Sequence, residues 1–166
     1  MIRKANLNDL NNIMEIVRSI QVEMKEENNP QWNEEDDYPN KEKFTEDINK
    51  NALYVYEIDS NIKGFMSITL DNKEYAELLK TSNKPAYVLH RLAIRKENRK
   101  EGLASKFFEY AESLAKENNI KILKADTEEH NLKMNNLFLK LGFKKKGEFE
   151  YDDYPGSYIY YEKEIK

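Results

Sequence analysis

The stretch Arg99-Lys100-Glu101-Gly102-Leu103-Ala104 joins an apolar run, Val88-Leu89-His90-Arg91-Leu92-Ala93-Ile94, to an amphipathic helix that opens near Ser105. A strand, a basic turn with one glycine and a helix together make a device for holding phosphate. The first N–H groups of a helix have no intrahelical acceptor, and the helix dipole adds favourable potential for an anion. Gly102 permits close backbone approach, Ala104 keeps the first turn slim, and Arg99 and Lys100 supply mobile positive charge. Basic turns before helices are common on any surface, so the meaning of this one depends on its surroundings.

Other residues able to do chemistry are few. His90 lies on the apolar run and has an unperturbed pKa near neutrality, which suits proton relay. Strand alternation puts it on the face of Val88, Leu92 and Ile94; a core histidine bonded to a neighbouring group is the competing reading. His130 opens a helix and reads as a surface or capping residue. Trp32 and Tyr38 stand in a polar loop, where they either pin the loop to the core or wall a pocket for an amine through cation–π attraction. The acidic run Glu34-Glu35-Asp36-Asp37 reads first as a solvated face. Among the tyrosines from Tyr151 to Tyr161, most suit a strand, and Tyr154, in a loop, is the best candidate for a functional role. No residue set has zinc-like spacing, so no metal is expected.

The 166 residues allow one domain, 1–166, with a proper core. With 39% hydrophobic and 35% charged residues and a net charge of −4, the chain reads as a highly charged globular protein without the basic face that nucleic acid requires. Arg95, Lys96, Arg99 and Lys100 form a local basic group that suits a small polyanion. The absence of cysteine excludes disulfides, a thiolate zinc site and a cysteine nucleophile, and is compatible with a cytoplasmic location. No apolar run reaches membrane-spanning length, and the N-terminus lacks the pattern of a secretion signal, so no membrane partner is expected.

The elements that must position these residues are read from periodicity. Met1 to Ala5 reads as a short strand. Leu7, Leu10, Ile13, Met14, Val17, Ile20 and Met24 recur at helical spacing behind Asn6 or Asn8 as cap. Glu26 to Asn40 is a loop, and Lys41 to Lys50 a short helix with Phe44 and Ile48 inward. Strands Leu53–Ile58 and Ile62–Leu70 flank the hairpin turn Asp59-Ser60-Asn61. Asp71 to Lys84 is an inserted excursion with a helical patch at Tyr75, Leu78 and Leu79. Tyr87 to Ile94 is a strand buried on both faces. Helix 102–118, strand Ile120–Ala125 and helix Leu132–Leu141, closed by Gly142, come next. Strands Phe143–Tyr151 and Ser157–Ile165 end the chain, joined by a loop with Pro155 and Gly156. The predicted fold class is α/β (α+β): a mixed, twisted central sheet of six to seven strands with helices on both faces.

In this order the chain resembles the GNAT family of acetyl-coenzyme A-dependent N-acetyltransferases, within a bacterial subgroup. Leu92-Ala93-Ile94 is similar to the family's Leu-Ala-Val at the end of the central strand. Arg99-x-x-Gly102-x-Ala104 fits its pyrophosphate motif, Gln/Arg-x-x-Gly-x-Gly/Ala. Asn131 through Leu137-Phe138-Leu139-Lys140-Leu141-Gly142-Phe143 resembles Asn-x-x-Ala-x-x-Leu-Tyr-x-Lys-x-Gly-Phe. Met134 replaces the small alanine, and Phe138 replaces the tyrosine that protonates the departing sulfur in many members.

The resemblance implies a single GNAT-like domain and direct attack of an amine on the acetyl-CoA thioester in a ternary complex. It implies that Leu92, Ala93 and Ile94 pair with the pantetheine arm and present a backbone N–H to the thioester oxygen. The turn Lys100 to Ser105, including Glu101, Gly102, Leu103 and Ala104, would cradle the pyrophosphate beside Arg99. Asn131 would bond the pantetheine and Phe138 would pack near its sulfur. His90 and Tyr154 are then the candidate proton carriers, and Trp32, Tyr38, His90 and Tyr154 the candidate walls of the acceptor site. The acceptor would be a primary amine of a small molecule or peptide, and the protein a monomer or homodimer. A coenzyme-binding sensor without turnover is the alternative that Phe138 favours. A Rossmann or P-loop reading fails, since the turn has one glycine and no Gly-Lys-Ser/Thr.

Overall fold

The structure is a computed structural model that describes residues 1–71, 73, 75 and 79–166, except the side chain of Tyr154. The strands are β1 (Ile2–Lys4), β2 (Leu53–Ile58), β3 (Asn61–Leu70), β4 (Ala86–Ile94), β5 (Ile122–Glu128), β6 (Lys144–Tyr151) and β7 (Tyr154–Glu164). The helices are α1 (Leu10–Glu26), α2 (Lys41–Asn49), α3 (Leu103–Glu117) and α4 (Leu132–Lys140). The seven strands form one mixed sheet in the order β1-β2-β3-β4-β5-β7-β6. Strands β4 and β5 pair in parallel, over Ala86–Val88 with Ile122–Lys124. Contacts divide the chain into two compact units, residues 1–68 with 91–107, and residues 69–90 with 108–166.

In the first unit, α1 and α2 bury an apolar stripe against one face of β2 and β3. Ile13, Ile16, Val17, Ile20 and Phe44 meet Leu53, Val55 and Phe65 there. On the alternate face of β2, Tyr56 packs edge-on against Phe107 of α3. Asn6 and Asp9 form a reciprocal cap on a 3-10 turn, Leu7–Asp9, so α1 proper starts at Leu10 and leaves Leu7 exposed. Arg3 grips Asp9 with two nitrogens and Glu57 with a third. Burial alone would raise the Asp9 pKa, but the Arg3 and Asn6 hydrogen bonds outweigh it and hold the carboxyl below its ordinary range. The hairpin turn is two residues, Asp59 and Ser60, both at positive φ, as a type I′ geometry requires.

In the second unit, α4 and the last part of α3 cover one face of β7, where Phe108, Phe138, Phe143 and Tyr161 form an aromatic cluster. The other face carries Tyr75, Val88, Phe149, Tyr158 and Tyr160. The expected excursion after β3 is tied down where it is described. Asp71 pairs with buried Lys124 at 2.7 Å, and the Ser82 N–H donates to Glu162 at 3.0 Å. Leu79 lies against Gly147, while Leu78, part of the expected helical patch, lies outside the described residues.

Two boundaries differ from expectation. Pro155 and Gly156 are inside β7, not in a loop, because Asp152 and Asp153 alone make the turn and Tyr154 already pairs with Tyr151. Strand β4 is not an uninterrupted strand either. Arg91 has φ +49°, a left-handed step that ends the two-residue alternation, so His90 is not placed on one face with Leu92 and Ile94 by simple register. Just beyond it, β3 approaches so closely that a Cβ on Gly64 would lie 2.6 Å from the Ala93 carbonyl oxygen and 2.6 Å from Ile94 Cδ1. Gly64→Ala should therefore destabilise the protein by roughly 1–3 kcal/mol through overpacking, read as a lower urea midpoint with an unchanged m-value. Wild-type stability would show that β3 and β4 are not held this close.

Candidate functional site

The basic turn is built within the first unit. After β4, Lys96–Asn98 form a 3-10 turn, Lys100 and Gly102 take positive φ (+67° and +75°), and α3 begins at Leu103. The Lys106 N–H is bonded to the Gly102 carbonyl at 3.1 Å. That makes Gly102 the cap and leaves the N–H groups of Leu103, Ala104 and Ser105 without an intrahelical acceptor. A Cβ built on Gly102 meets no heavy atom within 4 Å. Glycine is needed here for its backbone angle, and its missing side chain would point into open space. Asn98 adds a buried side-chain oxygen, Oδ1, with no hydrogen-bond partner.

Arg99 departs from its expected role as mobile charge. Its Nη1 donates to Glu23 at 2.5 Å and its Nε to the Ile94 carbonyl at 3.2 Å, so it braces the turn against α1 and the end of β4. Arg95 is held likewise, on the Ile62 carbonyl and Glu15. Lys100 stays exposed.

Trp32 and Tyr38 also belong to the first unit. Trp32 is 8% exposed and stacks parallel to Phe65, with ring centroids 6.3 Å apart. Tyr38 packs on the same core, its N–H and carbonyl bridge to Asn33, and Gln21 of α1 donates to that carbonyl. These contacts are those of the loop-pinning reading. Glu34 to Asp37 are exposed, as a solvated acidic run should be.

The second unit holds the histidines and the tyrosine-rich face. His90 Nε2 lies 3.1 Å from Thr69 Oγ1, which orients the ring. Asp126 was not legible as a candidate: on β5, it accepts the phenol O–H groups of Tyr75 (2.6 Å) and Tyr151 (2.9 Å) on one oxygen. The signal for it is an acidic residue inside a strand pattern. Tyr154 lies in β7 by backbone; its side chain is outside the described residues. Asn131 caps α4, its side chain accepting from the Met134 N–H at 3.2 Å. Phe138 is 3% exposed within the aromatic cluster. Asn135, also unforeseen, donates to the carbonyls of Glu128, Glu129 and Asn131 and accepts the Tyr161 O–H at 2.6 Å, fixing the junction of β5 with α4.

The match to the GNAT acetyltransferase family model covers residues 17–143. The chain belongs to the GNAT acetyltransferase family. As a family member it is an acyltransferase. A GNAT-family acetyltransferase from Streptococcus agalactiae 2603 superposes with a TM-score of 0.86 at 26% identity, covering 100% of this chain and 95% of its own. A candidate acetyltransferase from Staphylococcus aureus Mu50 is 30% identical, with a TM-score of 0.76 and coverage of 100% and 99%. A GNAT-family acetyltransferase from Listeria monocytogenes 4b F2365 shares the fold at 20% identity, with a TM-score of 0.77 and coverage of 99% and 94%. No curated protein matches the chain by sequence.

Glu128, Glu129 and His130 bring possible ligand atoms within 4.8 Å of one another, but both oxygens of buried Glu128 are already bonded to His130. The Glu128 hydrogen bond, then the charges of Glu128 and Glu129, raise the pKa of the exposed His130 ring. A raised folded pKa gives stabilisation that is full below the unfolded value near 6.5 and fades as pH rises through the folded value. The gap in urea midpoint between wild type and His130→Ala should therefore be larger at about pH 5.5 than at about pH 9. A gap independent of pH would show that the pair does not form.

Proposed function

We propose that this acyltransferase moves an acetyl group from acetyl-CoA to a primary amine of a small molecule or peptide. The observation that carries this reading is the β4–turn–α3 segment: a left-handed Gly102 facing open space, ahead of three helix-start N–H groups. Those donors suit a pyrophosphate in number and polarity, and the exposed Lys100 adds charge beside them. When bound, acetyl-CoA supplies an acyl carbon activated as a thioester. In this proposal Leu92, Ala93 and Ile94 hydrogen-bond the pantetheine through their backbones, and one of their N–H groups stabilises the oxygen on which charge develops. Arg99 acts as the brace of the turn, while Glu101, Leu103, Ala104 and Ser105 line it. Asn131 and Phe138 keep the roles that the family resemblance implies.

An alkylamine with a pKa near 10 must lose a proton before it attacks. His90, oriented by Thr69, is the proposed relay. The leaving thiolate gains a proton from a group other than Phe138; Tyr154 is the proposed donor. No helix among the described residues is long and apolar enough to cross a membrane, and we assign the protein to the cytoplasm, as one catalytic domain acting as a monomer or homodimer without a metal. Phe138 is the feature that favours the sensor alternative, since that buried ring carries no acid, but membership of an acyltransferase family sets that alternative aside.

Calorimetry with acetyl-CoA tests the donor assignment. Gly102→Asp tolerates the left-handed angle but puts a carboxylate before the helix start, and should weaken binding roughly 10- to 100-fold. The neutral Gly102→Asn should lose much less. Equal affinity in all three proteins would contradict the proposal. Thiol release over a panel of amines then tests the proposed acceptor class. His90→Ala should lower the rate about 10²–10⁴-fold with acetyl-CoA affinity unchanged if His90 relays the proton, whereas lost thermal stability with full turnover would make it a core histidine.

A further inference from the structure

Arg91 stands in the middle of β4 with φ +49°. Left-handed backbone disfavours any side chain, and arginine lacks the short polar group with which asparagine or aspartate eases it. The conformation must be imposed from elsewhere. The Arg91 side chain, 9% exposed, reaches Asp47 of α2, which is 3% exposed. Nη2 and Nε donate to Asp47 Oδ2 at 2.5 and 3.1 Å, and Ser67 Oγ of β3 donates to the same oxygen at 2.6 Å. Three donors thus meet on one buried carboxylate oxygen.

Well-packed apolar residues often replace a buried ion pair without loss of stability, so such a pair is weak support for a purely stabilising role. What it fixes is a place on the backbone. On one side of Leu92 stands the clamped Arg91; on the other, Ala93 is held against Gly64 with no room for a Cβ. A two-residue length of strand is set from both ends.

We propose that Asp47 and Arg91 are positioning residues for acyl transfer, clamping the left-handed step of β4 so that the Leu92–Ala93 amides are aimed at the thioester carbonyl of the donor. This rests on the reading of acetyl-CoA as donor. Neither side chain touches the reactants; both act through the backbone.

The test is carbon-13 NMR of acetyl-CoA labelled at the thioester carbonyl, at protein concentrations that calorimetry shows to be saturating. In wild type the carbonyl resonance should move downfield from its free position, as an aimed N–H donor polarises it. Asp47→Asn, which keeps an acceptor but removes the charge, and Arg91→Lys, which keeps the charge but removes the fork, should still bind while losing roughly half or more of that shift. The double variant should lose no more than the worse single one, since the pair acts as a unit. Ser67→Ala, the mildest change, should move the resonance in the same direction and serves if the others fail to fold. Variants that bind and keep the full wild-type shift would overturn the clamp alone, as would a wild type that binds without any shift. A wild type that does not bind acetyl-CoA would overturn the donor reading and the clamp with it.

Discussion

A left-handed backbone step at Arg91, held by a buried carboxylate, interrupts strand β4. Its first residues, Ala86–Val88, run parallel to β5; Ala93 and Ile94 lie against Gly64 of β3. Between them Arg91 takes a backbone angle that a strand residue ordinarily avoids, and a buried carboxylate from α2 holds it there. The turn and helix downstream inherit that direction. The end of β4 accepts Arg99, Arg99 ties the turn to α1, and the turn delivers the opening of α3 with Gly102 as its cap.

The charges are arranged in the same way. The two arginines of the basic group that composition suggests is free for an anion serve as braces, Arg95 on Glu15 and the Ile62 carbonyl and Arg99 on Glu23, as does Arg91 on Asp47. Positive potential at the turn then comes from backbone N–H groups and Lys100, which suits a site whose geometry must be fixed before the ligand arrives. In the second unit two buried polar side chains, Lys124 and Tyr160, are partnered as well. Lys124 bonds Asp71 and the Ser82 carbonyl, and Tyr160 donates to Glu162 at 2.5 Å. Burial, then Glu162, pushes the Tyr160 phenol up, keeping it a proton donor.

The elements that sequence reading finds are those with strong local signals. Helical spacing marks α1 and α3, the Asp-Ser turn marks the β2–β3 hairpin, and Gly102 marks the start of α3. Boundaries blur where local propensity misleads: Pro155 and Gly156 read as a loop, yet a two-residue turn suffices before them and pairing with β6 carries the chain through. The step at Arg91 leaves no trace in Val88-Leu89-His90-Arg91-Leu92-Ala93-Ile94, because its cause sits 44 residues away on α2. Nothing in the sequence around Asp47 singles it out. Asp126 and Asn135 are hidden for the same reason, since their partners come from distant elements. Local chemistry is visible in a sequence; the long-range bonds that aim it are not.

Amide NMR offers the most direct measurement of where the donor is held, since a chain of this size gives a resolved spectrum. With backbone resonances assigned, acetyl-CoA is titrated to about 1 mM, above the affinity expected of a co-substrate. The largest shifts are predicted at Leu103, Ala104 and Ser105, where N–H groups meet phosphate, and at Leu92 and Ala93, where strand amides meet the pantetheine and acyl group. Shifts concentrated elsewhere with these five unmoved, or no shifts at all, would contradict the assignment of the turn as the coenzyme site.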